Sequence, residues 1–559
     1  MPRAVFLNIA CSIVFTLNAV FASQAQTTVQ FVDVTGASGI RFKHVNGESG
    51  QKYYLETMGA GAAFLDYDND GDLDLYILNG APLPGFVSDT PPTNILYQND
   101  GDGGFTDVTA EAGVGDTGYG MGCVAADYDN DGDQDLYVTN FGENVLYRNN
   151  GDGTFTDVTQ AAGVSCGEKW SSSCAFLDYD HDGHLDLYVV NYLDYSIAQD
   201  GHWRDWRNQR GYGNPQVYEG ISDTLYRNSG NGTFTDATQH AGVHNNSGKG
   251  LGVACGDYNN DGRIDIYVAN DTTPNFLYRN RGDGRFVDIA PLVGVAYNEN
   301  GVAEAGMGVD FGDYNSSDFL DIFITNFSYE TNTLHEKHPD GTFTDVTDIA
   351  YLGEPSFLKL AFGTRFFDAD NDGDLDLFVA NGHLHPTDSD TLEYAQTNQL
   401  FQNTGNSSFR DISPESGDYF SMKRVSRGAA FGDYDNDGDT DIFVVNLNQE
   451  CVLLRNEGGN RNNWLMIKTI GTESNRDGIG TRVTVLTGSG SQMREVQTGS
   501  SYLSGHDLRL IFGLGAETKV EAVKITWPSG LEQMLADVKA NQLLVITEGV
   551  GAQPQQLSK

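Results

Sequence analysis

The sequence predicts an all-β protein: a seven-bladed β-propeller with recurrent Asp-rich loops, followed by a small β-rich C-terminal domain. Three observations predict it. An Asp-rich nonapeptide recurs seven times, every copy is flanked by the same short β-type runs, and a strand missing after the last copy stands before the first. The 559 residues are too many for one compact core, which a repeat architecture resolves. With 67 Gly against 14 Pro, and 27 Tyr and 30 Phe, the composition favours short strands joined by tight turns.

The nonapeptide begins at Asp66 (DYDNDGDLD), Asp127 (DYDNDGDQD), Asp178 (DYDHDGHLD), Asp257 (DYNNDGRID), Asp313 (DYNSSDFLD), Asp368 (DADNDGDLD) and Asp433 (DYDNDGDTD). Small apolar residues precede each copy, as in GAGAAFL before Asp66. An alternating run such as DLYIL follows, then in most copies an LYRN-like run, a Gly-rich turn and an FTDVT-like run. Four short strands per unit, repeated between four and eight times, is the signature of propeller blades. After the seventh copy the chain passes Leu453-Leu454-Arg455-Asn456 with no FTDVT strand, whereas Phe31-Val32-Asp33-Val34-Thr35 precedes the first. That segment is expected to complete the last blade and close the ring, which removes exposed sheet edges.

The loop places carboxylates at positions 1, 3, 5 and 9, a backbone carbonyl at position 7, and Gly at position 6 where a positive φ is needed. Several hard oxygens converging on one point suit Ca²⁺ better than Mg²⁺, which keeps its waters and demands an octahedron. Two carboxylates about 5 Å apart repel by about 3 kcal/mol at an effective dielectric of about 20, so an empty loop is strained. The candidate ligands are Asp66, Asp68, Asp70, Asp72 and Asp74; Asp127, Asp129, Asp131, Asp133 and Asp135; Asp178, Asp180, Asp182 and Asp186; Asp257, Asn259, Asp261 and Asp265; Asp368, Asp370, Asp372, Asp374 and Asp376; and Asp433, Asp435, Asp437, Asp439 and Asp441. The copy at Asp313, with Asn315, Ser317 and Asp318 in place of D, D and G, is expected to be weak or empty, which leaves about five or six calcium sites.

The net charge of −45 argues against nucleic acid, whose phosphates want Lys and Arg. Residues 1–25 read as a cleaved signal peptide, with Arg3 ahead of an interrupted apolar stretch and a small-residue cleavage site. No other run is apolar enough to span a bilayer. The expected destination is secreted, extracellular or periplasmic, with possible association to the cell surface. Its removal leaves Cys123, Cys166, Cys174, Cys255 and Cys451, an odd number; Cys123, Cys174 and Cys255 fall on expected buried strands, and Cys166 is near enough to Cys174 to pair. No nucleophile elbow, P-loop or HExxH motif is present, so catalysis has no recognisable constellation.

Strand direction alternates, so the Asp loops share one face and the connections between second and third strands share the other. The longest of the latter, residues 192–222, contains Trp203, Trp206, Arg207, Arg210 and Tyr212, a basic and aromatic cluster that could contact a partner or glycan, or form a lid over the channel. His383 and His385 follow on the same face and read as a structural turn.

The repeats resemble FG-GAP/VCBS repeats, and the C-terminal region resembles the ASPIC/UnbV domain. The second resemblance rests on Asn475-Arg476-Asp477-Gly478-Ile479-Gly480-Thr481-Arg482-Val483, Gly499-Ser500-Ser501-Tyr502-Leu503-Ser504-Gly505, Phe512-Gly513-Leu514-Gly515 and Val523-Lys524-Ile525-Thr526-Trp527-Pro528-Ser529-Gly530, with Leu55-Glu56-Thr57-Met58-Gly59 ahead of the first loop. The chain is similar to bacterial relatives of the cartilage acidic protein family. The resemblance implies a propeller over residues 28–460, an ASPIC/UnbV domain over 463–548 and, beyond both, a disordered tail over 549–559. It implies matrix, adhesion or surface roles and no reaction. The functional expectation is a calcium-binding module for a protein or polysaccharide partner at the face opposite the Asp loops; the alternative is a polysaccharide lyase or hydrolase, or an accessory subunit of an exported enzyme.

Overall fold

The computed structural model describes residues 29–88, 90–201, 203–204, 208, 210–386 and 391–555. The expected signal peptide, Trp206 and Arg207 lie outside the described residues. Seven four-stranded antiparallel sheets follow one another along the chain, each ordered from its first strand outward. Blade 1 consists of Ala62–Leu65, Asp74–Ile77, Ile95–Asn99 and Phe105–Asp107, and the next five blades repeat this plan. Blade 7 is Ser426–Gly432, Asp441–Asn446 and Val452–Asn456, and its outer strand is Phe31–Asp33 from the N-terminal end. Phe31 pairs with Asn456, Val32 with Arg455 and Asp33 with Leu454, so the ring closes as the misplaced FTDVT-like segment predicts.

The alternating runs bury both faces because blades pack on one another. Tyr76, Tyr137, Tyr188 and Tyr267, each the third residue of its DLY or DIY run, are completely buried. An Asn ends the third strand in six blades and latches each of those blades to a neighbour. Asn149 Nδ2 donates to Tyr67 O (2.7 Å), Asn228 to Tyr128 O (2.9 Å), and Asn99 to Tyr434 O (2.8 Å). Blade 5 has Lys337 there, its ammonium over the Tyr258 ring.

The C-terminal region forms two further four-stranded sheets. One has the order Leu510–Gly515, Asn463–Ile470, Leu543–Thr547, Gly551–Gln555; the other Ser491–Glu495, Arg482–Leu486, Lys519–Thr526, Glu532–Lys539. Leu465, Ile467, Val483, Val523, Ile525 and Ile546 are buried in one cluster that spans both sheets. The expected disordered tail does not begin at 549: Gly551–Gln555 pairs antiparallel with Leu543–Thr547 because its backbone satisfies an otherwise open sheet edge. The five described cysteines are buried free thiols, so Cys166 and Cys174 do not pair. Among the described residues no helix is long and apolar enough to cross a membrane.

Candidate metal loops, the capped channel and the open-face cavity

Each Asp loop is shaped by its own backbone. In the loop at Asp127, the position 1 carboxylate accepts from the N–H of Asp131 (3.0 Å) and of Gly132 (2.8 Å), and Asp131 accepts from Asp133 N (3.0 Å). Position 9, Asp135, accepts from Tyr128 N (3.1 Å) and from Asn149 N (2.8 Å). The Gly at position 6 has positive φ, 103° in Gly132, as expected. Position 4 is also left-handed in all seven loops (Asn69, Asn130, His181, Asn260, Ser316, Asn371 and Asn436), a requirement the sequence reading did not isolate, although a short polar residue stands there in each copy. Its amide staples neighbouring loops: Asn130 Nδ2 donates to Gly183 O (2.9 Å) and Asn371 Nδ2 to Gly438 O (3.0 Å). Asn436 Nδ2 donates to Gly71 O (3.2 Å), which staples the seventh loop to the first.

Turn capping accounts for positions 1, 5 and 9 but not for position 3. Asp68, Asp129, Asp180, Asp370 and Asp435 each hold Oδ1 buried without a hydrogen-bond partner. A buried, unpaired carboxylate oxygen is costly. In these loops three carboxylates bring ligand oxygens within 4.8 Å of one another: Asp66/Asp68/Asp70, Asp127/Asp129/Asp135, Asp178/Asp180/Asp186, Asp368/Asp370/Asp376 and Asp433/Asp435/Asp441. Five Asp triads could therefore bind metal ions. Burial, with the adjoining carboxylates, pushes Asp127 up to about 7 and Asp435 up to about 6. Position 7 side chains serve other ends: Asp72 and Asp133 accept from the Asn staples of adjacent loops (2.6 Å each), and Asp439 Oδ2 accepts from Asn460 N (2.9 Å).

The other two loops differ. At Asp257, Asn259 Nδ2 donates to Asp265 Oδ2 (3.0 Å), Arg263 pairs with Asp261 (2.5 Å), and Arg482 lies 3.8 Å from Asp257. At Asp313, Ser317 N and Asp318 N donate to the Asp313 carboxylate (2.7 and 3.0 Å), and Asp318 takes the left-handed turn in place of Gly. Neither forms a carboxylate triad among the described residues.

The C-terminal sheets sit on the Asp-loop face. Lys468 reaches Asp66 (3.7 Å), Asp477 accepts from Asp127 N (2.8 Å), and His181 meets Pro528 O (3.0 Å). Arg482 donates to Asp257 O (2.8 Å), Gly515 N to Asn371 O (2.8 Å), and Arg509 to Asp433 O (2.7 Å). From this roof the segment Thr498–His506 descends into the channel. Gly505 N donates to Ala62 O (2.9 Å) and Cys123 N to Leu503 O (3.3 Å), Ser501 and Val309 exchange both backbone bonds, and Thr498 Oγ1 bonds both backbone groups of Phe176. The hydroxyl of fully buried Tyr502 donates to Met58 O (3.0 Å). The small residues ahead of each Asp loop make room for this plug: a Cβ on Gly61 would lie 1.6 Å from Leu503 O.

The opposite face is open. Its concavity is a cavity of about 350 Å³ lined by Tyr54, Met58, Leu251, Met307 and Phe327, with Asp271, Thr272, Glu330, Asn214, Gln216 and His385 as polar groups. Asp271 is buried; it accepts from the Tyr192 hydroxyl, which also meets Tyr54 (2.9 Å), and burial pushes it up to about 6. Thr272 is β-branched yet has φ 59°, and its Oγ1 is buried without a partner. Such outliers persist only where surroundings impose them.

The 192–222 insert lies over this face, as strand direction requires. Tyr212 lines the cavity and donates to Glu56 Oε2 (3.0 Å), and its ring meets His385. Tyr218 stacks on Tyr54. Arg210 donates to Gln51 O, and Trp203 is partly exposed; neither lines the cavity. The insert thus forms one wall of the cavity, and the expected cluster does not converge as one surface among the described residues. His383 and His385 form the expected turn, His383 Nδ1 lying 3.2 Å from His385 O.

A closed seven-bladed ring with Asp loops on one face and a two-sheet roof over them defines a repeat propeller of the Asp-loop class. The chain belongs to the FG-GAP-like repeat family, which matches residues 66–138, 127–189, 210–268, 257–324, 313–379 and 368–444, and it carries an ASPIC and UnbV domain at residues 471–553. It is similar to cartilage acidic protein 1 of Xenopus tropicalis, 26% identical over 67% of this chain and 54% of the relative, and to that of Mus musculus, 25% identical over 87% and 73%. The chain spans about half the length of the Xenopus and human relatives. Among solved structures, an Agrocybe aegerita N-acetylglucosamine-recognising lectin aligns at TM-score 0.39 and 17% identity, covering 70% of this chain and 87% of that one. The BP39L lectin of Burkholderia pseudomallei aligns at 0.45 and 10%, covering 72% and 97%.

Proposed function

We propose that this protein is an exported, calcium-stabilised binding module that engages a protein or polysaccharide partner through the face opposite its Asp loops. The observation that carries the reading is the asymmetry of the ring. The Asp-loop face is roofed and the channel plugged, while the other face keeps a concavity lined mainly by apolar groups with a few polar ones, the usual make-up of a binding site. Ca²⁺ fits the Asp triads on donor chemistry: all donors are hard oxygens, and the orphaned position 3 oxygen supplies the ligand that turn formation leaves over. Positions 1, 3, 5 and 9 would hold the ion, with the position 7 carbonyl completing the oxygen set. The ion's role is structural, since the five loops lie under or beside the roof.

The test is a panel of polysaccharides and an extract of surface proteins passed over the immobilised, calcium-loaded chain, assayed for both retention and chain cleavage. Retention without cleavage is the expected result. Cleavage would turn the reading toward a lyase or hydrolase, and no retention of either class would sink it.

A further inference from the structure

Two cavities adjoin on the open face and share Glu330. The first is the axial cavity of about 350 Å³; the second, of about 440 Å³, lies over blade 5 between the segments 298–304, 329–331 and 345–357. The second holds Glu299, Glu304, Asp345 and Asp348 together with Glu330, and no Lys or Arg is among the described residues lining either cavity. Apolar groups alternate with these acids: Ile349 is 74% exposed, Tyr329 52% and Phe357 44%, the last two in edge contact. Isolated exposed apolar residues are ordinary, but several converging on one acidic groove are not. Glu304 is held in place by Asn298, Asn326 and Thr333, and Glu330 by Ala305 N (2.9 Å), so these carboxylates are positioned rather than loose surface groups.

We infer that this double cavity receives an extended segment of a protein partner in which Lys or Arg alternates with aromatic or aliphatic side chains. The inference rests on the open face being the partner face, as proposed above. Charge complementarity selects the occupant. Asp271 at the floor already has Lys249 for a cationic neighbour, but the half-buried Glu304 and Glu330 have no Lys or Arg beside them in the lining, and such carboxylates favour a cationic guest and penalise an anionic one. The apolar part of the axial cavity's wall, Met58, Leu251, Met307 and Phe327, suits a hydrocarbon stem or ring.

The test uses the full chain in millimolar calcium and fluorescence anisotropy with three labelled hexapeptide amides, alternating Phe with Lys, Ser or Glu. The Lys peptide should bind at least tenfold more tightly than the Ser peptide, and added salt should shrink that advantage. Glu304→Gln/Glu330→Gln should remove at least tenfold in affinity, and Phe357→Arg, which leaves every groove carboxylate in place, should do the same. Glu521→Gln/Asp537→Asn, on the remote C-terminal sheet, should change nothing; an equal loss there would mean only that an acidic protein attracts cations, and would overturn the inference. Equal binding of Lys and Ser peptides, or unaffected binding in groove variants with wild-type melting, would overturn it too. If no peptide binds but a polysaccharide or surface protein is retained, the inference falls and the binding-module reading stands; if nothing binds, both fall.

Discussion

At the scale of the single residue, the informative atom is the second oxygen of the position 3 aspartate. Positions 1, 5 and 9 accept from backbone N–H groups, whereas this oxygen has no hydrogen-bond partner in any of the five complete loops. Substitution there separates the two effects of charge. In saturating calcium, Asp129→Asn should bind one ion fewer by elemental analysis and lose about 2.7 kcal/mol, the stabilisation expected from a ligand at 100 times its dissociation constant. In excess chelator the same variant should melt at or above the wild type, because a repulsion of about 3 kcal/mol per close carboxylate pair has been relieved. A variant that melts lower in both conditions would show that the aspartate acts only as a turn former. The ligand spacing was legible in the sequence because alternate positions of a tight loop converge. The left-handed position 4 was not, since Asn, His and Ser there look like ordinary loop polarity until their φ and their contacts to the next loop are seen.

At the scale of the element, strands and their order were readable from alternation and repetition, and even the displaced outer strand of blade 7 followed from a count of FTDVT segments. The plug was not readable. Gly499–Gly505 shows no periodicity, and its role exists only through contacts with inner strands far away in sequence. Tyr502→Ala should destabilise by about 3–5 kcal/mol in a denaturant melt, the range for emptying a large buried ring. Gly61→Ala should displace the plug, seen as earlier proteolysis within 497–508. Within the C-terminal domain, buried Glu548 accepts from the N–H groups of Thr472, Glu473 and Ser474 (2.8 Å each) and from two Ser hydroxyls. Burial alone would raise its pKa, but these donors outweigh it and hold the group down at about 2. A depressed carboxyl contributes stability that is complete above its unfolded value near 4.5 and lost as pH falls toward 2. Glu548→Gln should therefore cost about 2–3 kcal/mol at pH 7, from lost charge-assisted bonds, and should flatten the acid limb of the stability curve between those values.

At the scale of the whole molecule, propeller and roof behave as one object. Hydrophobic packing of the C-terminal sheets is continuous with that of blades 2 and 3, and the roof bonds loops around the ring. A chain ending at residue 460 should thus fail to give a soluble, cooperatively melting propeller even in calcium, because its inner strands would line an empty channel with unpaired backbone groups. A sharp, calcium-dependent melt from such a chain would refute this integration. The sequence separates the two parts because their motifs differ, and motif boundaries say nothing about which face one part covers.

Closure by Phe31–Asp33 also imposes an order on biosynthesis. That strand leaves the ribosome first, yet the edge it must join is finished only when Asn456 has been made. For almost the whole of translation both ends of the nascent sheet array are bare and able to recruit the wrong chain. Newly made molecules are therefore most at risk just before completion, and fusing a bulky tag close to residue 31 should lower yield far more than the same tag at the C-terminus.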